Sequence, residues 1–384
     1  LNGGFHTPNH RWVIASALAQ AHALFPDLDV AAGVEAYLAE GFDLDEDGCF
    51  IEHSIGNYDA VNDLSLLLIG EYWARPDAIE GVARNLAFDL HMLHADATAI
   101  TNLSTRFDYG TRAVPANLIP SLLLLDYHQP DPLWRTAANE LWQRGSMAAS
   151  NWLCFALLKA GDPADSQAVL PSDFSTFYAH NWLWRVRRDQ LSAATFRDRT
   201  NLFSLVFGQA ELTAVKVSFT YVGDVSGWFF GDTLTVEGNR GVLRSEGLRR
   251  PRRPGYELPL GRPVPPAEWA DAIEARDLRE LPPLTSTLTI EEVTGGFDLR
   301  LQTLDGFDGV AAQMAFDFAR GGCWETRDTR FKPQAGQEVF LRDGSEVFRL
   351  AGVSRPVPFR HLCLETKNSV NSIAKVLCEQ GAAG

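Results

Sequence analysis

Apolar residues recur at three- and four-residue intervals along the first 160 residues, which is the spacing of amphipathic helices. Links that contain proline interrupt the pattern, among them Phe25-Pro26-Asp27 and Arg75-Pro76-Asp77. The pattern predicts six helical segments, at about residues 12–25, 30–40, 58–73, 77–95, 114–126 and 132–159. Consecutive helices joined by short links are typical of arrays of helical hairpins, such as a toroid or a solenoid.

Alternation of apolar and polar residues replaces the helical period after about residue 189. It predicts strands at about residues 202–207, 212–222, 284–290, 297–304, 310–318, 339–341 and 347–350. Turn signals at Gly223-Asp224, Gly238-Asn239 and Asp305-Gly306 separate several of these strands. Many short strands punctuated by turns favour an antiparallel β-sandwich.

The change of pattern also predicts the domain organisation. We expect an α+β multidomain chain with a helical domain at residues 1–165, a linker at 166–188 and an antiparallel β-sandwich at 189–384. A chain of 384 residues with 46% hydrophobic content is long enough to form two cores. Residues 248–266 are predicted to form a long basic loop, either a solvated insertion or a lid that touches substrate.

Charge is distributed unevenly along the chain, whose net charge is −15. Residues 1–170 hold 8 Lys and Arg against 22 Asp and Glu, a net charge of −14. This acidity argues against a nucleic-acid partner, because phosphate binding needs clustered positive charge. An anionic substrate would depend on local cations, for which the candidates are Arg11, Arg106, Arg112, Arg185, Arg187 and Arg188.

Other sequence features limit the cofactor, the partners and the compartment. The five cysteines are scattered without CxxC spacing, so they predict neither a disulfide framework nor a thiolate zinc site. The acidic turn 43–48 imitates the start of a calcium loop, but the twelfth position from Asp43 is Ser54 rather than glutamate. We expect no cofactor, no bound metal and no membrane partner. The compartment stays open: periplasmic or secreted if a leader precedes this sequence, and cytoplasmic otherwise.

Three polar loops, each followed by a helical pattern, hold the groups that carry chemistry. The first contains Asn9 and His10, the second runs from Glu52 to Tyr58, and the third contains Arg106. Asn9 is a residue type that caps helices, so its side chain is expected to project from a helix start. The three loops together predict one cleft at the rim of the helical array.

These loops resemble those of the heparinase II/III-like polysaccharide lyases. The resemblance rests on Gly-Phe-His-Thr-Pro-Asn-His-Arg-Trp at residues 4–12, the acidic turn ending in Asp47-Gly48, residues 52–58, and Ser-x-Arg-x-Asp at 104–108. Motif likeness is confined to about residues 3–112. The resemblance implies an incomplete α/α toroid followed by an antiparallel β-sandwich.

The chain departs from the family pattern in two ways. It begins within nine residues of the expected site, where the family has several helices, so we expect the N-terminal part of the toroid to be lacking. The second half holds no His-x-His-x-Asp pattern, which some relatives use for a structural metal.

The resemblance implies a role for each site residue. Asn9 would bind the substrate carboxylate, and His10 would help to neutralise it or accept a proton. Tyr58, 49 residues after Asn9, would protonate the leaving oxygen. His180 lies where relatives place a further catalytic histidine. The expected substrate-binding residues are Trp12, Glu52, Asn57, Arg106 and Asp108.

The predicted function is β-elimination on a uronic-acid-containing polysaccharide, with an anionic polysaccharide or oligosaccharide as the partner. One alternative is a glycoside hydrolase on uronyl oligosaccharides, for which the paired carboxylates would be Glu52 with Asp59 or Asp63. Another alternative is a non-catalytic glycan-binding protein. An unsaturated product that absorbs ultraviolet light distinguishes the lyase from both.

Overall fold

The computed structural model describes most of the chain and divides it into two compact units. The described residues are 7–146, 150–163, 167–208, 210–221, 225–246, 255–280, 284–304, 310–319, 323–325, 330–332, 339–341, 345–351, 362–367 and 371–378. Unit 1 comprises Leu1–Phe174, Tyr178–Asn181 and Arg187–Gln190. Unit 2 comprises Ser175–Phe177, Trp182–Val186 and Leu191–Gly384. The fold is α+β, as predicted.

Unit 1 is built from helices. They are α1 (Pro8–Leu24), α2 (Ala31–Leu38), α3 (Tyr58–Tyr72), α4 (Pro76–His91), the 3₁₀ turn Ala116–Leu118, α5 (Ile119–His128), α6 (Pro132–Arg144) and α7 (Asn151–Ala160). Helix α1 packs on α3, α3 on α4, and α5 on both α6 and α7. No helix in the described ranges is long and apolar enough to cross a bilayer.

Local sequence explains where these helices begin and end. Proline occupies the first turn of α1, α4 and α6, where its missing N–H costs nothing. The segment predicted as one helix at 132–159 is two helices, because the chain turns at Gly145. A Cβ on Gly145 would lie 2.7 Å from the Leu141 carbonyl oxygen and 2.9 Å from Ala116 Cβ. Ser150 then caps α7 by accepting a hydrogen bond from the Leu153 N–H at 3.1 Å.

Unit 2 is built mainly from strands. Five lie before residue 222: β1 (Asp173–Tyr178), β2 (Leu183–Arg188), β3 (Leu191–Phe196), β4 (Phe203–Phe207) and β5 (Ala210–Tyr221). Eight follow up to residue 318: β6 (Val225–Phe229), β7 (Thr233–Glu237), β8 (Arg240–Glu246), β9 (Gly255–Glu257), β10 (Leu278–Glu280), β11 (Thr285–Val293), β12 (Gly296–Thr303) and β13 (Val310–Phe318). The last six are β14 (Cys323–Glu325), β15 (Arg330–Phe331), β16 (Val339–Leu341), β17 (Ser345–Ala351), β18 (Leu362–Lys367) and β19 (Asn371–Cys378). A 3₁₀ turn (Pro266–Glu268) and the short helix α8 (Trp269–Glu274) lie between β9 and β10.

The strands form two large sheets and one short ribbon. The first sheet has the order β1-β2-β3-β4-β5-β13-β18-β16, with β6 also paired to β5. The second has the order β15-β14-β17-β19-β12-β11-β8-β7, and β9 pairs with β10 alone. The strands pair antiparallel, as predicted, except that β16 pairs with β18 and β17 with β19 in parallel.

The predicted linker, turns and basic loop agree with the observed strands to different extents. The interval 166–188, expected to be a linker, contains β1 and β2, which pair with each other at one end of the first sheet. Gly238 has φ +59° and makes the predicted turn between β7 and β8. The turns at 223–224 and 305–306 lie outside the described residues. So does the start of the predicted basic loop, whose residues 255–257 form β9.

Residues of both large sheets share one hydrophobic core. Phe203 of β4, in the first sheet, meets Phe297 of β12, in the second, edge to face with ring centroids 5.1 Å apart. Trp184 of β2 contacts the same Phe297 ring at 6.3 Å. All three side chains are fully buried. Phe297 is therefore the centre of the aromatic packing between the sheets.

Removing the Phe297 ring is expected to destabilise the chain strongly. Phe297→Ala should lower the free energy of unfolding by about 3–5 kcal/mol, because a buried aromatic leaves a cavity. Chemical denaturation followed by circular dichroism measures this change. Leu304→Ala is the control, since Leu304 is 56% exposed and should change stability by less than about 0.5 kcal/mol. Equal losses in the two variants would contradict the assignment of the core.

Candidate active site

The second polar loop lies against the third. Gly56 has φ +82°, and a Cβ there would lie 2.3 Å from Pro115 Cβ, so this close approach requires glycine. The Thr105 N–H and hydroxyl both donate to the Glu52 carbonyl oxygen, at 3.2 and 3.0 Å. Backbone sterics and hydrogen bonds thus hold the two loops together before any side-chain chemistry is considered.

The Asp108 carboxylate closes the third loop from inside. Asp108 is buried, and Ser54 Oγ donates to its Oδ2 at 2.9 Å. The Ser104 hydroxyl donates to its Oδ1. The expectation that Asp108 binds substrate finds no support in this geometry, because both carboxylate oxygens already accept hydrogen bonds within the protein. Its neighbour Arg106 pairs with Glu52 instead.

The Glu52 carboxylate is the meeting point of the candidate site. It is only 3% exposed, and its Oε1 lies 3.4 Å from Arg106 Nη1. Asn62 Nδ2, from α3, donates to its Oε2 at 3.4 Å. The Arg106 guanidinium in turn lies over the Tyr58 ring, with Cζ 4.2 Å from the ring centroid. Glu52 therefore contacts both Asn62 of α3 and Arg106 of the third loop. Arg106 also contacts Tyr58, the first residue of α3.

The electrostatic state of this group follows from its burial. Desolvation raises the pKa of Glu52, while the Asn62 hydrogen bond, the Arg106 charge and the backbone N–H of Asn9 oppose that rise. The pKa of Arg106 is raised, chiefly by its hydrogen bond with Tyr58 and further by the Glu52 charge. Asn9, Glu52, Arg106 and Tyr58 thus form one connected set, drawn from all three polar loops.

The first loop differs from its prediction in detail. Helix α1 begins at Pro8, so Thr7 is the N-cap and Asn9 lies within the first turn. The Asn9 side chain is buried, and its Oδ1 accepts a hydrogen bond from Thr7 Oγ1 at 2.6 Å. His10 is exposed, and its imidazole has no hydrogen bond to any residue that the structure describes. Residues 4–6 of the motif lie outside the described residues.

Trp12 and Arg11, which follow Asn9 and His10 in the sequence, have structural roles. Trp12, expected to bind substrate, is fully buried and packs edge to face on Phe42, so its ring is not accessible to a sugar. Arg11 forms ion pairs with Glu40 and Asp43, which neutralise its charge. Asn57 is half-buried and is the N-cap of α3, although its side chain makes no capping hydrogen bond.

His180 is bound to the acidic turn rather than to Tyr58. Its Nε2 lies 2.9 Å from Glu46 Oε2, and its N–H donates to Asp47 Oδ2 at 2.8 Å. Asn181 Nδ2 donates to both Asp45 and Asp47 at 2.8 and 3.0 Å. The carboxylates that imitate a calcium loop therefore accept hydrogen bonds from residues 180–181. Across the described part of the chain, no group of three His, Cys, Asp or Glu is arranged to hold a metal.

The remaining candidate cations have partners of their own. Arg112 pairs with Asp96 at 2.7 Å, and Arg188 with Asp173 at 2.8 Å. Arg187 donates to the Leu93 and Asp189 carbonyl oxygens, and Arg185, fully buried, donates to the Ala193 carbonyl oxygen. Of the six predicted cations, Arg106 alone lies beside Tyr58, and its side chain is 28% exposed.

Beneath the site lies a buried acidic cluster that the sequence analysis did not identify as a unit. Asp59 and Asp63 of α3 and Asp89 of α4 are 0% exposed, and within the described ranges no Lys, Arg or His pairs with them; the Ser54 backbone and the Asn85 amide lower the pKa of Asp59 only in part. Burial raises the pKa of Asp59 to about 8, helped by the charges of Glu52 and Asp108. Burial also raises the pKa of Asp63 and of Asp89, and the negative charge of Asp59 adds to both. A side-chain hydrogen bond between Asp59 and Asp89 also contributes to the raised pKa of Asp89.

This burial bears on the hydrolase alternative. A glycosidase needs two carboxyl groups that reach the sugar from opposite sides. Asp59 and Asp63, the proposed partners of Glu52, do not reach solvent. The spacing of the aspartates was a usable signal, because Asp59 and Asp63 are four residues apart and therefore lie on one face of α3.

The buried cluster predicts a pH dependence of stability. A carboxyl whose pKa is raised on folding stabilises the folded state fully below its unfolded pKa of about 4, and this contribution is lost as pH rises to the folded value. For Asp59 the window therefore runs from about pH 4 to about pH 8. Asp59→Asn should remove one titrating group. The free energy of unfolding should then fall less steeply as pH rises, by up to about 1.4 kcal/mol per pH unit.

Urea denaturation at pH 5, 6, 7 and 8 measures this slope. The free energy of unfolding of Asp59→Asn, relative to that of the unmodified protein, should increase with pH. Asp27→Asn, at an exposed position, is the matched control and should leave the slope unchanged. Parallel stability curves for Asp59→Asn and the unmodified protein would show that the cluster is not protonated in the folded state.

Comparison with known proteins leaves the family unassigned. No family model matches the chain, and no curated protein matches it. The interpretation of the site therefore depends on its chemistry and on the motif resemblance described above.

Proposed function

We propose that this protein is a polysaccharide lyase of the heparinase II/III-like type, which cleaves a uronic-acid-containing polysaccharide by β-elimination. On this proposal unit 1 is a partial α/α toroid and unit 2 a β-sandwich. The helix pairs α1–α3, α3–α4 and α5–α6 and the core shared by the two large sheets are compatible with those architectures. The observation that carries the functional proposal is the Arg106 guanidinium, 4.2 Å from the Tyr58 ring and paired with buried Glu52.

The chemistry of elimination explains why this arrangement suits a lyase. Removal of the C5 proton places negative charge on the carbon next to the uronate carboxylate, so that carboxylate has to be neutralised. Arg106 offers a planar fork of donors that fits a carboxylate. Its 3.4 Å contact with Glu52 engages one nitrogen and leaves other N–H groups for substrate. His10, exposed in the first turn of α1, is the proposed second group that neutralises the carboxylate.

Tyr58 is the proposed proton-transfer group. It begins α3 and is half-buried, with its ring between Arg106 and Phe107. A phenol in this place can protonate the departing C4 oxygen, or accept the C5 proton when ionised, since the adjacent guanidinium attracts the negative charge. Asn9, whose backbone N–H faces Glu52, is proposed to orient the carboxylate-binding side of the cleft. His180 is left with a structural role in this mechanism, because its imidazole pairs with Glu46.

A direct assay separates the proposed function from its alternatives. The protein is incubated with alginate, heparan sulfate, hyaluronan and gellan-type polymers, and ultraviolet absorbance is followed with reducing ends. A lyase gives absorbance and reducing ends together, because each cleavage creates a C4–C5 double bond. Reducing ends without absorbance would indicate a hydrolase, and binding without either product would indicate a glycan-binding protein.

Replacing Tyr58 by phenylalanine tests the proton-transfer role. The ring and its contact with Arg106 are kept, so folding should change little, whereas the hydroxyl is lost. Turnover of the best polymer should fall by about 10²–10⁴-fold, with KM nearly unchanged. Initial rates of unsaturated product measure the effect.

Tyr109→Phe is the matched control, because Tyr109 lies in the adjacent third loop and is 49% exposed. Its turnover should equal that of the unmodified protein. Wild-type rates for Tyr58→Phe would transfer the proton-transfer role to His10.

A further inference from the structure

A cavity of about 360 Å³ lies within unit 1, on the side of α3 that carries Asn57 and Val61. Its walls come from α1, α3, α5 and α7, and they include Val13, Leu64, Pro120 and Trp152. Trp152 is 40% exposed, Val13 44% and Val61 37%, so these side chains form its open rim. This volume is in the lower range of small-molecule sites.

Among the residues that the structure describes, no charged side chain lines the cavity. All thirteen lining residues are apolar, serine or asparagine, whereas residues 1–170 together carry a net charge of −14. An ionic ligand entering this space would lose its hydration and find no opposite charge, which is costly. The walls therefore select against uronates and amines, and they differ in this respect from the neighbourhood of Arg106.

A small amount of hydrogen-bonding capacity remains in the walls. Ser16 and Ser65 already donate to the carbonyl oxygens one turn earlier, at Val13 and Val61. Ser121 is 0% exposed, so its hydroxyl does not reach a ligand in the cavity. The Asn57 amide is half-buried, makes no capping hydrogen bond and lies at the cavity edge, so it can pair with a ligand.

We infer that this cavity binds an uncharged small molecule with an aliphatic or aromatic body and a single alcohol or amide group. The apolar walls from α1, α3 and α5 take the body, and the alcohol or amide pairs with the Asn57 amide at the cavity edge. Asn57 immediately precedes Tyr58, so the occupied cavity adjoins the first turn of α3. The inference does not require that the protein be a lyase.

Matched isosteres test the inference on the full chain. Benzyl alcohol, benzoate and benzylamine share one ring and differ in charge, and ligand-observed saturation-transfer NMR reports their binding. Benzyl alcohol should bind at least about tenfold more tightly than either ion, because the walls offer no counter-charge. Equal binding of benzoate, or no binding of benzyl alcohol, would overturn the inference.

Two variants locate the binding. Val61→Trp fills the rim and should weaken benzyl alcohol binding by about tenfold or more, since the ring loses its space. Val169→Trp, at another exposed valine outside the cavity, should bind like the unmodified protein. Circular dichroism checks that both variants fold. Equal binding by Val61→Trp and the unmodified protein would show that benzyl alcohol binds elsewhere and would refute the site.

Discussion

The Glu52 carboxylate is buried at the point where the polar loops of the helical unit meet, and its charge has to be balanced there. A carboxylate that is 3% exposed loses most of its hydration, which is why its pKa is raised. Arg106, the Asn62 amide and the Asn9 backbone N–H provide the balance. The position of Arg106 over Tyr58 follows from this pairing, because the same guanidinium serves both groups. The geometry offered to a substrate therefore depends on one ionic contact.

The helical unit buries its acids in two different ways. Glu52 has a cation beside it, whereas no ion pair reaches Asp59, Asp63 or Asp89 within the described ranges, and burial raises the pKa of all three. Glu52 also contributes to the raised pKa of Asp59, so the two groups are electrostatically linked. A raised pKa favours the neutral form of each carboxyl, which reduces the negative charge that an anionic substrate would meet near Tyr58.

Sequence patterns predicted the larger elements well, because those elements obey a simple period. The strand predicted at 310–318 coincides with β13, and the helix predicted at 58–73 is α3 within one residue. The break at Gly145 was not predicted, since it depends on the contact with Ala116. Strands β1 and β2 were missed because their burial does not alternate cleanly; five of the six residues of β2 are buried.

The partners of individual side chains were harder to predict than the helices and strands. Arg106 and Asp108 were both expected to bind substrate, but Asp108 accepts hydrogen bonds from two serines and Arg106 pairs with Glu52, 54 residues away. Trp12 has an aromatic identity suited to sugars, yet the helix turns it into the core. Tertiary packing determines which partner each of these side chains contacts, and a single sequence does not reveal that packing.

A double-mutant cycle on Glu52→Gln and Arg106→Gln, read from the free energy of unfolding, tests most directly whether this ion pair organises the site. Each single change leaves one charge without its partner, and the double change removes both charges. The account predicts that the double variant loses less stability than the two single losses combined, with a coupling of about 0.5–3 kcal/mol. Losses that add to within about 0.5 kcal/mol would contradict it.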